Sequence, residues 1–213
     1  MRGRSFVFSL GFHEDFVIRR LSGLAARRGE GIVLFTGSPV APGTRRAFTS
    51  LVDYCTRVGL DAPRLVELPL SDAPRAVSTA VRVVSSLPEP IVADLGGGMR
   101  AVVVVVLLAL LTSGRAFELY VSSEGGEAEE LRIPAGVARA LSSLSAEKRE
   151  ILSVIARSEG CTAEFVAGRT GKSLKTVRNH LSELKKMSLV SSTGRRGGYK
   201  LTSWGRAVLG RYE

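Results

Sequence analysis

The sequence predicts an α/β chain of two domains, a Rossmann-like domain built on a mostly parallel sheet followed by a winged helix-turn-helix. Three observations carry that expectation. In roughly the first 135 residues, short apolar runs alternate with segments whose apolar residues recur at helical spacing. After residue 144 the order is helix, short helix, glycine turn, basic helix and basic hairpin. Charge is also split unevenly within a net +10 over 213 residues: 144–213 hold 14 Lys/Arg against 6 Asp/Glu, and 1–143 hold 16 against 14. Every lysine lies at Lys148 or later. A basic proteome would raise charge everywhere, so the asymmetry puts a polyanion partner on the second domain.

Taken in order, 5–10 (SFVFSL) is an apolar strand ending at Gly11. Residues 13–28 read as a helix with Phe16, Val17, Leu21, Leu24 and Ala25 on its apolar face. A second buried strand, 31–36 (GIVLFT), is stopped by Gly37-Ser38-Pro39, and a helix follows at 44–58 with Phe48, Leu51, Val52 and Cys55 inward. The third strand is 64–68 and the third helix 73–87. The fourth strand, 91–95 (IVADL), breaks at Gly96-Gly97-Gly98. Despite its valines, the apolar run 100–112 follows a glycine loop and suits a helix buried on most sides. Residues 116–122 and 130–134 read as closing strands, joined through polar 123–129 as a hairpin. Short apolar strands alternating with helices predict a parallel sheet covered on both faces. The expected boundaries are 1–135 for the sheet domain, 136–144 for a linker or connecting helix, and 145–213 for the winged helix.

Several classes are disfavoured. The longest apolar run, 101–111, has 11 residues, whereas a membrane helix needs about 20. No signal peptide is legible, because 5–10 is too short for its apolar region. Cys55 and Cys161 lie in unlike segments without CxxC or nearby histidine, which argues against a zinc site or disulfide framework. A cytoplasmic, nucleoid-associated protein is expected, with no membrane partner, no resident cofactor and no metal.

In the second domain Ser145 caps a helix over 146–158, with Ile151, Leu152 and Ile155 inward. Thr162 caps a short helix at 163–169, and Thr170-Gly171-Lys172 makes the turn. Ser173 then caps a helix over 174–187 with Leu174, Val177, Leu181 and Leu184 on one stripe. Its other face carries Lys175, Thr176, Arg178, Asn179, Ser182 and Lys185. Cations and hydroxyls suit phosphates, and Arg and Asn can pair bidentately with base edges, so double-stranded DNA is the expected partner. Two β-like stretches, 189–193 and 199–202, flank a turn with Arg195 and Arg196 at its tip; Tyr199 and Lys200 follow on the return strand. Such a tip can reach backbone or minor groove. A last helix is expected at 203–212. The sequence between Thr162 and Arg206 resembles winged-helix transcription factors of bacterial and archaeal type.

In open α/β sheets ligands bind beyond the C-terminal strand ends, where helix N-termini offer free N–H groups to anions. Three loops qualify: Gly11-Phe12-His13, Gly37-Ser38, and Gly96-Gly97-Gly98-Met99-Arg100. The last is the sharpest, since glycines permit close backbone approach and Arg100 adds a cation. Neither Walker nor GxGxxG spacing is present, so an anion pocket is expected without a nucleoside triphosphate or a nicotinamide dinucleotide.

GFHEDFVIRR after the first strand and DLGGGMRAVVVVVLLALL after the fourth resemble the two ligand motifs of CRISPR-associated Rossmann-fold (CARF) domains. With the winged helix, the chain resembles archaeal CARF–winged-helix transcriptional regulators of CRISPR systems. The resemblance implies a homodimer that senses a cyclic oligoadenylate, typically cyclic tetra-adenylate, across its two-fold axis. It implies that Leu10, Gly11, Phe12, His13 and Phe16 line one side of the pocket. Gly96, Gly97, Gly98, Met99 and Arg100 would hold phosphate and ribose. This chain has Leu95 or Gly96 where a hydroxyl-bearing residue often precedes the paired glycines. Some relatives cleave the ring, and His13 is the one candidate base near the ribose; the expectation here is a binding protein without catalytic residues. The alternatives are a ring nuclease, or a DNA-binding adaptor that recruits CRISPR interference machinery.

Overall fold

The computed structural model describes residues 3–122, 130–194 and 198–210. The chain divides into two compact units, Met1–Ile133 and Pro134–Glu213.

In the first unit, β1 (Ser5–Ser9), β2 (Gly31–Gly37), β3 (Arg64–Leu68), β4 (Ile91–Asp94), β5 (Phe117–Ser122) and β6 (Glu130–Ile133) form one sheet. Their order is β3-β2-β1-β4-β5-β6, parallel except that β6 runs antiparallel to β5. The helices α1 (Asp15–Gly23), α2 (Pro42–Arg57), α3 (Ala73–Ser85) and α4 (Arg100–Thr112) make the crossovers. The expected architecture is present: a mostly parallel six-stranded sheet of Rossmann type. The 123–129 stretch expected to close the hairpin lies outside the described residues.

Period-two alternation sorts the strands' side chains between faces. Phe6, Phe8, Ile32 and Leu34 pack with Val17 and Leu21 of α1 and Ala47, Leu51 and Cys55 of α2. Val7, Val33 and Ala93 point to the opposite face, where α3 packs on α4. Strand order reverses between β1 and β4, so the connections that leave their C-terminal ends run in opposite directions from the topological switch point.

Two expectations change. The first helix is 9 residues long, not 16, because Gly11–Glu14 form the loop above the sheet. The run 100–112 is helical, yet it is not buried on most sides. Val102, Val105, Val106, Ala109 and Leu110 are buried, whereas Val104 is 55% exposed and Leu108 45%. With apolar residues all round a helix that packs on one face, the outer face stays uncovered within one chain.

The second unit contains α5 (Ala135–Ser143), α6 (Ala146–Arg157), α7 (Ala163–Thr170), α8 (Leu174–Lys186), β7 (Val190–Thr193), β8 (Gly198–Leu201) and α9 (Ser203–Val208). Residues 136–144, expected as a linker or connecting helix, are helical as far as Ser143, and α5 clusters with this unit and meets α9. Ser145, Thr162, Ser173 and Thr202 each accept an amide at their helix N-terminus, closing donors the helices cannot satisfy themselves. Ile151, Leu152, Ile155, Val166, Val177, Leu181, Leu184 and Leu189 form the core. β7 and β8 pair antiparallel, and Tyr199 bridges back to Cys161, which docks the wing on the helices. This is a winged helix.

Candidate ligand site and nucleic-acid face

The loops after β1 and β4 meet at the switch point, and glycine is what lets them. A Cβ on Gly11 would lie 2.9 Å from the Gly98 Cα, and one on Gly98 would lie 3.0 Å from the Leu10 carbonyl oxygen. Gly98 also has φ +82°, a backbone conformation that side chains disfavour. A Cβ on Gly97 would fall 2.3 Å from the Phe16 ring. The triplet therefore interlocks the two loops and seats them on α1, in addition to leaving backbone open to a ligand. Ser9 fixes the loop from below by donating its hydroxyl to the Gly97 carbonyl. Gly97→Val should drive Phe16 from its place and destabilise the unit by about 1–3 kcal/mol in urea unfolding; an unchanged midpoint would contradict the interlock.

Asp94, at the end of β4, is 1% exposed and anchors the same loop. One carboxylate oxygen accepts the Gly96 amide at 3.0 Å, and the other accepts Arg20 Nε at 2.8 Å. Arg20 comes from α1, also pairs with Glu130 on β6, and lies 3.8 Å over the Tyr120 ring. Burial pushes the Asp94 carboxyl above its ordinary range against the pull of Arg20 and the Gly96 amide. Burial works against the Arg20 charge, but Glu130 and Asp94 hold its pKa above the usual arginine value. Asp94 and Arg20 lie 74 residues apart in sequence, so only the fold brings them together.

A cavity of about 240 Å³ opens beside the interlocked loops. Of the residues expected there, Leu10, Gly11, Phe12, His13, Gly37, Gly98 and Met99 line it. Phe12 is 65% exposed, with its ring against Gly43, and Met99 is 57% exposed. Phe16, Gly96 and Gly97 instead form the support beneath the loop. Ser38 is exposed and faces away, its hydroxyl 3.3 Å from Glu67 and its amide on the Leu68 carbonyl. Arg100 is exposed at the start of α4, with no ion pair among the described residues. His13 is exposed and has no hydrogen-bond partner among the described residues. The structure adds Thr36, Pro39, Ala41 and Thr44 to the lining. A neighbouring shallow cavity shares Phe12, His13 and Ala41 and brings in Arg46. Among the described residues, no group of His, Cys, Asp or Glu is arranged to hold a metal ion, and no helix is long and apolar enough to cross a membrane.

In the second unit, α8 buries Val177, Leu181 and Leu184 and exposes Lys175, Arg178, Asn179, Ser182 and Lys185. Ser173 accepts the Thr176 amide at 3.1 Å, and the two hydroxyls lie 2.9 Å apart. Arg178 pairs with Glu164 of α7 at 2.9 Å. The Glu164 carboxyl is held below its ordinary range by its own amide, then Thr162, then Arg178. Lys185 donates to Ser192 of β7 at 3.0 Å. Behind the helix, Lys148 pairs with Glu183, while Lys172 and His180 approach Glu147, so the acids gather on the side facing α6. The outer face is left cationic. Lys200 is exposed on β8, and Tyr199 is half-buried beside it. Arg195 and Arg196 lie outside the described residues.

Two family models match the chain. The Csa3 CRISPR-associated Rossmann-like domain covers residues 4–134, and the DNA-binding winged helix-turn-helix of the HrcA transcription repressor covers 143–212. A Saccharolobus solfataricus protein described as "CRISPR locus-related putative DNA-binding protein Csa3" is 31% identical over 207 residues, covering 97% of this chain and 87% of that protein. Among solved structures, Can2 from Sulfobacillus thermosulfidooxidans in complex with cyclic tetra-adenylate is similar with TM-score 0.43 and 11% identity, over 98% of this chain and 64% of that one. VC1899 from Vibrio cholerae is similar with TM-score 0.46 and 12% identity, over 98% of this chain. This chain thus spans under two thirds of the length of either of these two.

Proposed function

This chain belongs to the Csa3 family of CRISPR-associated proteins, and from that premise we propose that it is a homodimeric, ligand-responsive DNA-binding regulator. One observation carries the reading. A single chain joins an open cavity at a sheet switch point to a winged helix whose outer face is cationic.

The effector is a cyclic oligoadenylate, cyclic tetra-adenylate first among candidates. The loops around Gly11 and Gly98 present backbone and Phe12, His13 and Met99 to it, and Arg100 supplies a cation. The uncovered stripe of Val104 and Leu108 continues from exposed Met99, beside the cavity. A second copy seated on that stripe covers the apolar surface and brings its own half-site to face the first. A symmetric ring then needs only half of its contacts from each chain. On α8, Arg178 and Asn179 read base edges, while Ser173, Lys175, Thr176, Ser182 and Lys185 contact backbone. Arg195, Arg196, Tyr199 and Lys200 extend the contact along the wing. Among the described residues His13 has no partner to orient it as a base, which favours ligand contact over ring cleavage.

Titration calorimetry with cyclic tetra-adenylate should give one ring per two chains, and the ring should be recovered uncut. Absence of binding, or one ring per chain, would overturn the shared site; linear products would replace the regulator by a nuclease.

A further inference from the structure

Thr36 and Thr44 are buried hydroxyl residues in the cavity wall, 3% and 4% exposed. Neither hydroxyl has a hydrogen-bond partner among the described residues. Thr36 ends β2, on the face that carries Ile32 and Leu34; Thr44 sits in the first turn of α2, facing the sheet. Neither oxygen is sealed from solvent, so both are open to a ligand entering the cavity they line.

The rest of the lining says what kind of group that is. Leu10, Pro39, Ala41 and Met99 offer apolar surface, suited to the faces of a flat ring. Ala41 gives α2 no capping side chain, so first-turn amides add fixed donors beside Thr44. Among the described residues no Lys or Arg lines this cavity; Arg46 lines the neighbouring shallow one. A phosphate would seek Arg46, and a heteroaromatic base fits between the apolar walls.

We propose that Thr36 and Thr44 determine base identity in the ring, reading the amino-bearing edge of an adenine while Arg46 takes the adjacent phosphate. Each hydroxyl can accept from the 6-amino group or donate to a ring nitrogen. The proposal rests on the ring-sensor reading above and deepens it.

The test compares cyclic tetra-adenylate with the same ring built from unsubstituted purine, which lacks the 6-amino group. The wild-type chain should bind the adenine ring at least about tenfold more tightly, since a site built to bond a polar group rejects an analogue without it. The isosteric pair Thr36→Val and Thr44→Val together should remove that preference, and Thr36→Ser with Thr44→Ser should keep it. Arg46→Ala should weaken both rings alike. Circular dichroism and melting separate lost readout from lost fold, and the serine pair keeps the hydroxyls if the valine pair fails to fold. A valine pair that retains the preference, or a folded serine pair that loses it, overturns the proposal. If the wild-type chain binds both rings equally, base readout falls while the ring sensor stands; if it binds neither, both fall.

Discussion

Replacing Arg20 with alanine is expected to destabilise the first unit by about 3–5 kcal/mol at neutral pH. The pair with Asp94 is nearly dry: the Asp94 side chain is 1% exposed and that of Arg20 13%. Removing the cation leaves a buried carboxylate with only the Gly96 amide to bond. The sign of its pH dependence follows. Burial raises the Asp94 pKa, so the folded chain holds that proton more firmly than the unfolded chain does. The contribution is full below the unfolded carboxylate value and fades as pH rises through the raised one. A protonated Asp94 needs no cation, so the defect should shrink as pH falls. Urea unfolding at neutral and acid pH measures both effects; an equal loss at the two pH values would contradict the account of the pair.

The second large effect lies on α8. Asn179→Ala and Arg178→Ala should each cost about 1–3 kcal/mol on the preferred DNA and little on random DNA, so that base preference relaxes. Lys175→Ala and Lys200→Ala should instead weaken binding to every sequence and lower the salt slope by about 1 each. Loss of Arg195 and Arg196 should act like these lysines. Glu164 holds Arg178 at 2.9 Å in the free protein, so binding to DNA has to exchange that pair for a base edge. Selection from a random DNA pool, repeated at two salt concentrations, separates the classes. Relaxed preference on loss of the wing arginines, with uniform weakening on loss of Asn179, would reverse the roles of helix and wing.

The sheet was legible because short apolar strands punctuated by glycine leave a parallel, two-sided core little alternative. The winged helix was legible because α8 has a strict apolar stripe opposite its cations and hydroxyl caps stand before α6, α7 and α8. What sequence could not show depends on distant meetings. Gly97 reads as a place for a ligand, and only the fold brings Phe16 beneath it. Asp94 at the end of β4 finds Arg20 on α1, the helix that follows the neighbouring strand β1. Thr36 and Thr44 carried no signal, since a threonine ending a strand or entering a helix is ordinary until its hydroxyl faces a cavity. Ser38 was misplaced for the opposite reason: it follows Gly37 in sequence, but the turn aims it at Glu67. The outer face of α4 could not be told from its inner face, because nearly every residue in the run is apolar.

The proposed coupling joins the ring site and the winged helix in one switch. It is tested most directly by titrating a DNA fragment, selected for binding to this protein, with and without saturating cyclic tetra-adenylate. A change of about 5–150-fold in DNA affinity is expected, matched by an equal change in ring affinity when DNA is saturating. Identical DNA affinity in the two titrations, with the ring bound, would contradict it.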